Sequence, residues 1–151
     1  MAIFIESSTR RLLTKKERDD INWIISQLTE EDDFNDFFIP DDENFEYGKV
    51  YYDNGDPVGF GMMRRGADKA TKKKIVNIQL AILKSYRGKG LGRAIAKDCV
   101  NHGLNDEHTT AIYWGVNKHN TISANLAKSL GFELLKSDEK YDMYILRKDN
   151  V

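Results

Sequence analysis

The chain has 151 residues, 23 of them basic and 24 acidic, and a formal net charge of −1. That length supports a single domain with a proper core, and a charge so evenly balanced exerts no bulk attraction on nucleic acid. The one cysteine, Cys99, forbids an internal disulfide and fits a reducing compartment. No apolar run approaches the 18 residues of a spanning helix. The start, MAIFIESSTRR, lacks the basic-then-apolar order of a signal peptide. A cytoplasmic protein with no nucleic-acid or membrane partner is expected; the oligomeric state is not set by the sequence.

Residues 3–5 read as a short strand. Thr14 and Glu17 have the spacing of a capping box, and Ile21, Ile24, Ile25 and Leu28 follow at helical spacing, so a helix over 15–28 is expected. Phe34, Phe37 and Phe38 suggest a short helix that must end before Pro40. Asn54-Gly55 suits a type I′ turn between strands at 48–53 and 57–65. A polar loop over 66–73 leads into a strand at 74–83. A helix over 91–103 carries Leu91, Ala94, Ile95 and Cys99 on one face, with Gly103 as its expected C-terminal cap. The strand AIYWGV, 111–116, precedes a helix opened by Asn120 or Thr121 and closed by Gly131. FELLKS and YDMYILRK read as a final antiparallel pair. A strand–loop–helix–strand unit at 74–116 among mixed elements gives an α/β fold around a partly parallel sheet flanked by helices.

The segment SYRGKGLGRAIAKD, 85–98, places Gly88, Gly90 and Gly92 where a helix must start. Each costs about 1 kcal/mol against alanine inside a helix, so three in five residues need a reason. A helix N-terminus carries free amides and partial positive charge, and glycines let a phosphate approach its backbone. Arg87, Lys89 and Arg93 add charge where phosphate oxygens would sit. The pattern reads as a pyrophosphate cradle. Neither GxxxxGK(S/T) nor GxGxxG is present, which leaves a general nucleotide-phosphate binder as the weaker reading.

RGKGLG, Arg87 to Gly92, resembles the (Q/R)xxGx(G/A) signature of the GNAT family of N-acetyltransferases. NTISANLAKSLGF, Asn120 to Phe132, is similar to that family's second signature, an asparagine opening a helix that ends in Gly-Phe. The order of elements along nearly all 151 residues is also similar. The resemblance implies one GNAT domain over residues 1–151, acetyl-coenzyme A as co-substrate, and a primary amine as acceptor. It also implies two adjacent strands splayed around the pantetheine arm. Ala81, Ile82 and Leu83 would offer backbone bonds to that arm, with an amide near Leu83 serving the oxyanion. Arg87, Gly88, Lys89, Gly90, Leu91 and Gly92 would hold the pyrophosphate, and Asn120 would contact the pantetheine or phosphate portion.

Acetyl transfer needs a neutral amine, a donor for the oxyanion and a proton for the leaving thiolate. The family's usual glutamate and tyrosine fall on Gly115 and Ala127. Ser123, His119 and Tyr141 are the remaining candidates for handling protons, with Tyr144 a weaker one, and positioning of the two reactants carries much of the rate. Without the usual pair, a non-catalytic acyl-coenzyme A-binding module is the rival reading. No metal site is expected, since Cys99 and His102 lack a second ligand pair. Nine carboxylates between Glu30 and Glu46, with no lysine or arginine from Asp19 to Gly48, suggest an acidic rim that would favour a cationic acceptor.

Overall fold

The computed structural model describes residues 10–28 and 37–150. The expected strand at 3–5 and Phe34 lie outside them, and residues 37–40 are not helical. Helix α1 spans Lys15–Leu28. Its capping box is reciprocal: the Glu17 amide donates to Thr14 Oγ1 at 3.2 Å, and the Thr14 amide to Glu17 Oε1 at 2.9 Å. Strands β1, Phe45–Asp53, and β2, Asp56–Ala67, meet at Asn54 and Gly55, with φ of 51° and 87°. Both angles are positive, as a type I′ turn requires. Strand β3, Lys74–Ile82, is followed by helix α2, Leu91–Asn105, and strand β4, Thr109–Asn117. Helix α3, Thr121–Ser129, then leads to strands β5, Glu133–Ser137, and β6, Tyr141–Arg147.

The six strands lie in the order β1-β2-β3-β4-β6-β5. Of these six strands of the described residues, β3 and β4 run parallel, joined by the α2 crossover, and the other neighbours are antiparallel. Alternation along the strands sorts side chains to two faces. Phe60, Met62 and Ala81 pack beneath α1 with Ile21, Ile24 and Leu28. Met63, Val76, Ile78, Ile112, Trp114, Val116 and Tyr144 pack beneath α2 and α3. Each fully buried aliphatic or aromatic side chain contributes about 1.5–3 kcal/mol, so both faces are firmly held.

Gly103 does not cap α2, which runs on to Asn105. A Cβ on Gly103 would lie 2.6 Å from Ile112 Cδ1. The glycine allows the helix to approach β4 closely; it does not stop the helix.

At the N-terminal end of the parallel pair sits a buried ionic cluster. The Lys74 ammonium is 2.7 Å from Glu46 Oε1 and 2.7 Å from Asp106 Oδ2. Glu46 Oε2 is 2.8 Å from His102 Nε2, and Thr109 Oγ1 donates to Asp106 Oδ2 at 2.6 Å. Burial pushes the Asp106 carboxyl up, but hydrogen bonds from Lys74 and Thr109 and the Lys74 charge outweigh it and hold the group at about 2. Burial likewise raises Glu46, and hydrogen bonds from His102 and Lys74 bring it below the ordinary value.

Candidate active site

Pairing between β3 and β4 ends at Ile78 and Trp114, although β3 continues to Ile82 and β4 to Asn117. Each strand keeps its other neighbour: Ile82 stays opposite Gly59 of β2, and Asn117 opposite Tyr141 of β6. The sheet therefore parts at its centre. A cleft of about 970 Å³ opens there, the size of a small-molecule site.

The Leu83 amide donates to the Val58 carbonyl at 2.9 Å. Alternation along an antiparallel ladder then turns the Leu83 amide and both backbone groups of Ala81 toward β2, while the Leu83 carbonyl accepts the Tyr86 amide at 2.9 Å. The backbone groups of Leu80 and Ile82 turn toward the gap. Of the three residues expected to offer backbone bonds there, only Ile82 faces it. Ala81 is committed to β2 and Leu83 to β2 and the Tyr86 amide, so the Leu83 amide is no donor to an oxyanion. Leu80, which no motif marks, presents its backbone instead. The Ile82 carbonyl accepts a hydrogen bond from Arg87 Nε at 3.0 Å, which ties the glycine loop to the strand end.

That loop makes a 3-10 turn at Lys84–Tyr86 and then bends twice, at Gly88 with φ 77° and Gly90 with φ 87°. Only glycine takes such angles without strain. Gly90 is the N-cap of α2, and no side chain caps that helix. The contrast with α1 and α3 is sharp, since Thr14 caps the one and Asn120 Oδ1 accepts the Ser123 amide at 3.0 Å in the other. The first amides of α2 have no intrahelical acceptor and stand, with the helix's partial positive charge, beside the cleft.

The cleft is lined by Ala81, Ile82, Arg87, Gly88, Gly90 and Gly92, and across from them by His119, Asn120, Ser123 and Tyr141. The structure thus brings ten of the expected site residues to one place. Leu83, Lys89 and Leu91 are not among the lining residues, and the Lys89 ammonium lies 5.5 Å from the Tyr86 ring centroid. Tyr144 is a core residue. Asn117 Oδ1 accepts the His119 amide at 3.0 Å and so shapes the turn that carries His119 and Asn120.

A sequence model of the acetyltransferase (GNAT) family matches residues 10–132. The chain belongs to that family. Among the curated proteins, none matches it by sequence. Its fold is similar to that of a GNAT-family acetyltransferase from Streptococcus pneumoniae, with TM-score 0.75 and 15% identity over 91% of this chain and 96% of that one. It is also similar to yncA of Salmonella typhimurium, solved with its cofactor acetyl-CoA, with TM-score 0.72, 18% identity and 92% of both chains covered. A third likeness is to a ribosomal-protein-alanine N-acetyltransferase from Brucella melitensis, with TM-score 0.73 and 14% identity over 91% and 98%. At such identities the likeness establishes the GNAT fold.

Within this GNAT fold the expected acidic rim does not form among the described residues. Glu30, Glu31, Asp32, Asp33 and Asp36 lie outside them. Glu46 belongs to the buried cluster at the far end of the sheet, and Asp42 pairs with Arg18. Neither they nor Asp41 and Glu43 line the cleft. Its polar lining instead includes Arg64, Asn77, Gln79 and Asn117. Their spacing in the sequence carries no motif, because strand pairing alone assembles them. Among the described residues no helix is long and apolar enough to cross a membrane.

Proposed function

We propose that residues 1–151 form one N-acetyltransferase domain that moves an acetyl group from acetyl-coenzyme A to a primary amine by direct transfer. The observation that carries this reading is the uncapped start of α2, placed at the mouth of a gap between two parallel strands. The donor set fits the group: two glycines in left-handed backbone accommodate a pyrophosphate, with Arg87 and Arg93 beside it. Leu80 and Ile82 offer main-chain bonds to an extended arm lying in the gap.

Acetyl-coenzyme A supplies the thioester. The amine's lone pair forms the new C–N bond, the C–S bond breaks, and the amine proton leaves while the thiolate takes one up. The Leu80 amide, turned into the gap two residues past the last position paired with β4, is the donor suited to the carbonyl oxygen as charge develops on it. Ser123, His119 and Tyr141 line the cleft and are the groups available to hold the moving protons. Cys99 supports transfer without an acetyl-enzyme: it is buried in the core, and burial pushes its thiol up to about 12. A cytoplasmic, reducing setting agrees with that lone buried thiol.

Calorimetry with coenzyme A and thiol release from acetyl-coenzyme A over a panel of amines test the proposal. Binding with amine-dependent thiol release is expected. Binding without release on any amine would leave a non-catalytic acyl-coenzyme A module, and no binding would refute both.

A further inference from the structure

The cleft extends beyond the glycine loop onto the α1 side of the sheet, past the stretch that α1 itself covers. Arg64 of β2 and Asn77 of β3 stand directly opposite each other there, so their Cβ atoms are about 5.5 Å apart on one face. Asn77 immediately precedes Ile78, the last β3 residue paired with β4. The pair thus flanks the apex of the gap, within about one strand spacing, 4.8 Å, and one residue rise, 3.3 Å.

Arg64 is exposed, and its guanidinium has no ion pair or hydrogen bond among the described residues. Its guanidinium lies 5.9 Å from the Phe38 ring centroid. Phe38 is held in turn, since Gln79 Nε2 donates to its carbonyl at 3.4 Å and Phe37 packs edge-on against Phe60 at 6.3 Å. The cations lining the cleft are Arg64, Arg87, Arg93 and Lys136, against one carboxylate, Asp138. Asp138 Oδ1 already accepts the amides of Lys140 and Tyr141 at 2.8 and 2.7 Å. In a chain of net charge −1, this positive lining is local, and Arg64 stands well away from the phosphate loop.

We infer that the acceptor is an amine that also bears a carboxylate, of the amino-acid class, and that Arg64 with Asn77 binds that carboxylate. A planar guanidinium takes a carboxylate through two N–H groups, and the asparagine amide adds a third donor. A carboxylate fixed beside the apex leaves an α-amine a few bonds away, pointing at the gap. The inference rests on the acetyltransferase reading, which puts the thioester in that gap.

The test measures kcat/KM by thiol release for free amino acids, their C-terminal amides and polyamines. It uses wild type, Arg64→Gln and Asn77→Ala, with coenzyme A affinity followed separately by calorimetry. The free acids are expected to exceed their amides at least tenfold, and Arg64→Gln is expected to collapse that ratio toward one through KM. Amides or polyamines turned over as well as acids would overturn the inference. So would a loss in Arg64→Gln that is common to acids and amides, or an unchanged ratio. If coenzyme A binds and only non-carboxylate amines are acetylated, the acetyltransferase reading stands and this inference falls. If no amine releases thiol, both fall.

Discussion

Replacing Lys74 with methionine removes the single ammonium that joins Glu46 and Asp106 at 2.7 Å each. Methionine keeps the length and apolar stem, so the change isolates the charge. Two carboxylates would remain almost wholly out of water, and breaking a buried ion pair from one side costs about 3–5 kcal/mol. For a domain of this size that is a fall in Tm of roughly 6–20 °C. The pH dependence is the sharper signature. In the wild type Asp106 is held near 2 against an ordinary 3.8. A lowered carboxyl stabilises fully above the ordinary value and loses that contribution, up to about 2 kcal/mol, as pH falls from about 4 through 2. Without Lys74, burial dominates and the carboxyls are expected to shift upward. A raised carboxyl favours the folded state as it protonates, so the variant should regain stability between pH 8 and 5, a range in which the lowered wild-type Asp106 contributes no slope. Urea denaturation at pH 8, 7, 6 and 5 measures both. A loss below about 1 kcal/mol, or one independent of pH, would refute the reasoning.

Gly90→Val places a β-branched side chain at φ 87° beside the uncapped helix start, and calorimetry on the folded variant should show coenzyme A affinity reduced at least tenfold; unchanged affinity would remove the cradle. Ser123→Ala, His119→Ala and Tyr141→Phe should each lower turnover by roughly tenfold to a thousandfold at most. A far larger loss at one of them would identify a dedicated acid or base. Gly103→Ala drives a methyl to 2.6 Å from Ile112 Cδ1 and should cost about 1–3 kcal/mol in chemical denaturation; a neutral outcome would mean the helix can lift off β4 freely.

The features legible in the sequence are those whose physics is local. The Thr14–Glu17 box, the Asn54-Gly55 turn and the Asn120 cap each depend on residues three or fewer apart, and the structure makes the bonds that spacing implies. The glycine loop was legible for the same reason. What escaped depends on pairing across the sheet. Whether Ala81 or Ile82 faces the gap is settled by the ladder partner of Leu83, 25 residues earlier in the chain at Val58. Glu46 looks like one more surface acid in an acidic stretch until Lys74 and His102 are seen to enclose it. Gly103 has the position of a helix stop, and only Ile112 on the neighbouring strand explains why the helix passes through it. Arg64 and Asn77 share no motif, and their meeting is a product of register.

The divided sheet has a mechanical meaning. One leaf is β1-β2-β3 and the other β4-β6-β5, and the two share only five paired positions, from Lys74/Thr109 to Ile78/Trp114. Those five positions act as the spine of a half-open book. Lys74 begins the spine, and its ionic cluster binds Glu46 of the first leaf to Asp106 and Thr109 at the foot of the second. An occupant of the gap spans the same leaves from the opposite edge. Clasp and occupant therefore set one angle between them, and loosening the clasp makes the aperture more dependent on what fills it.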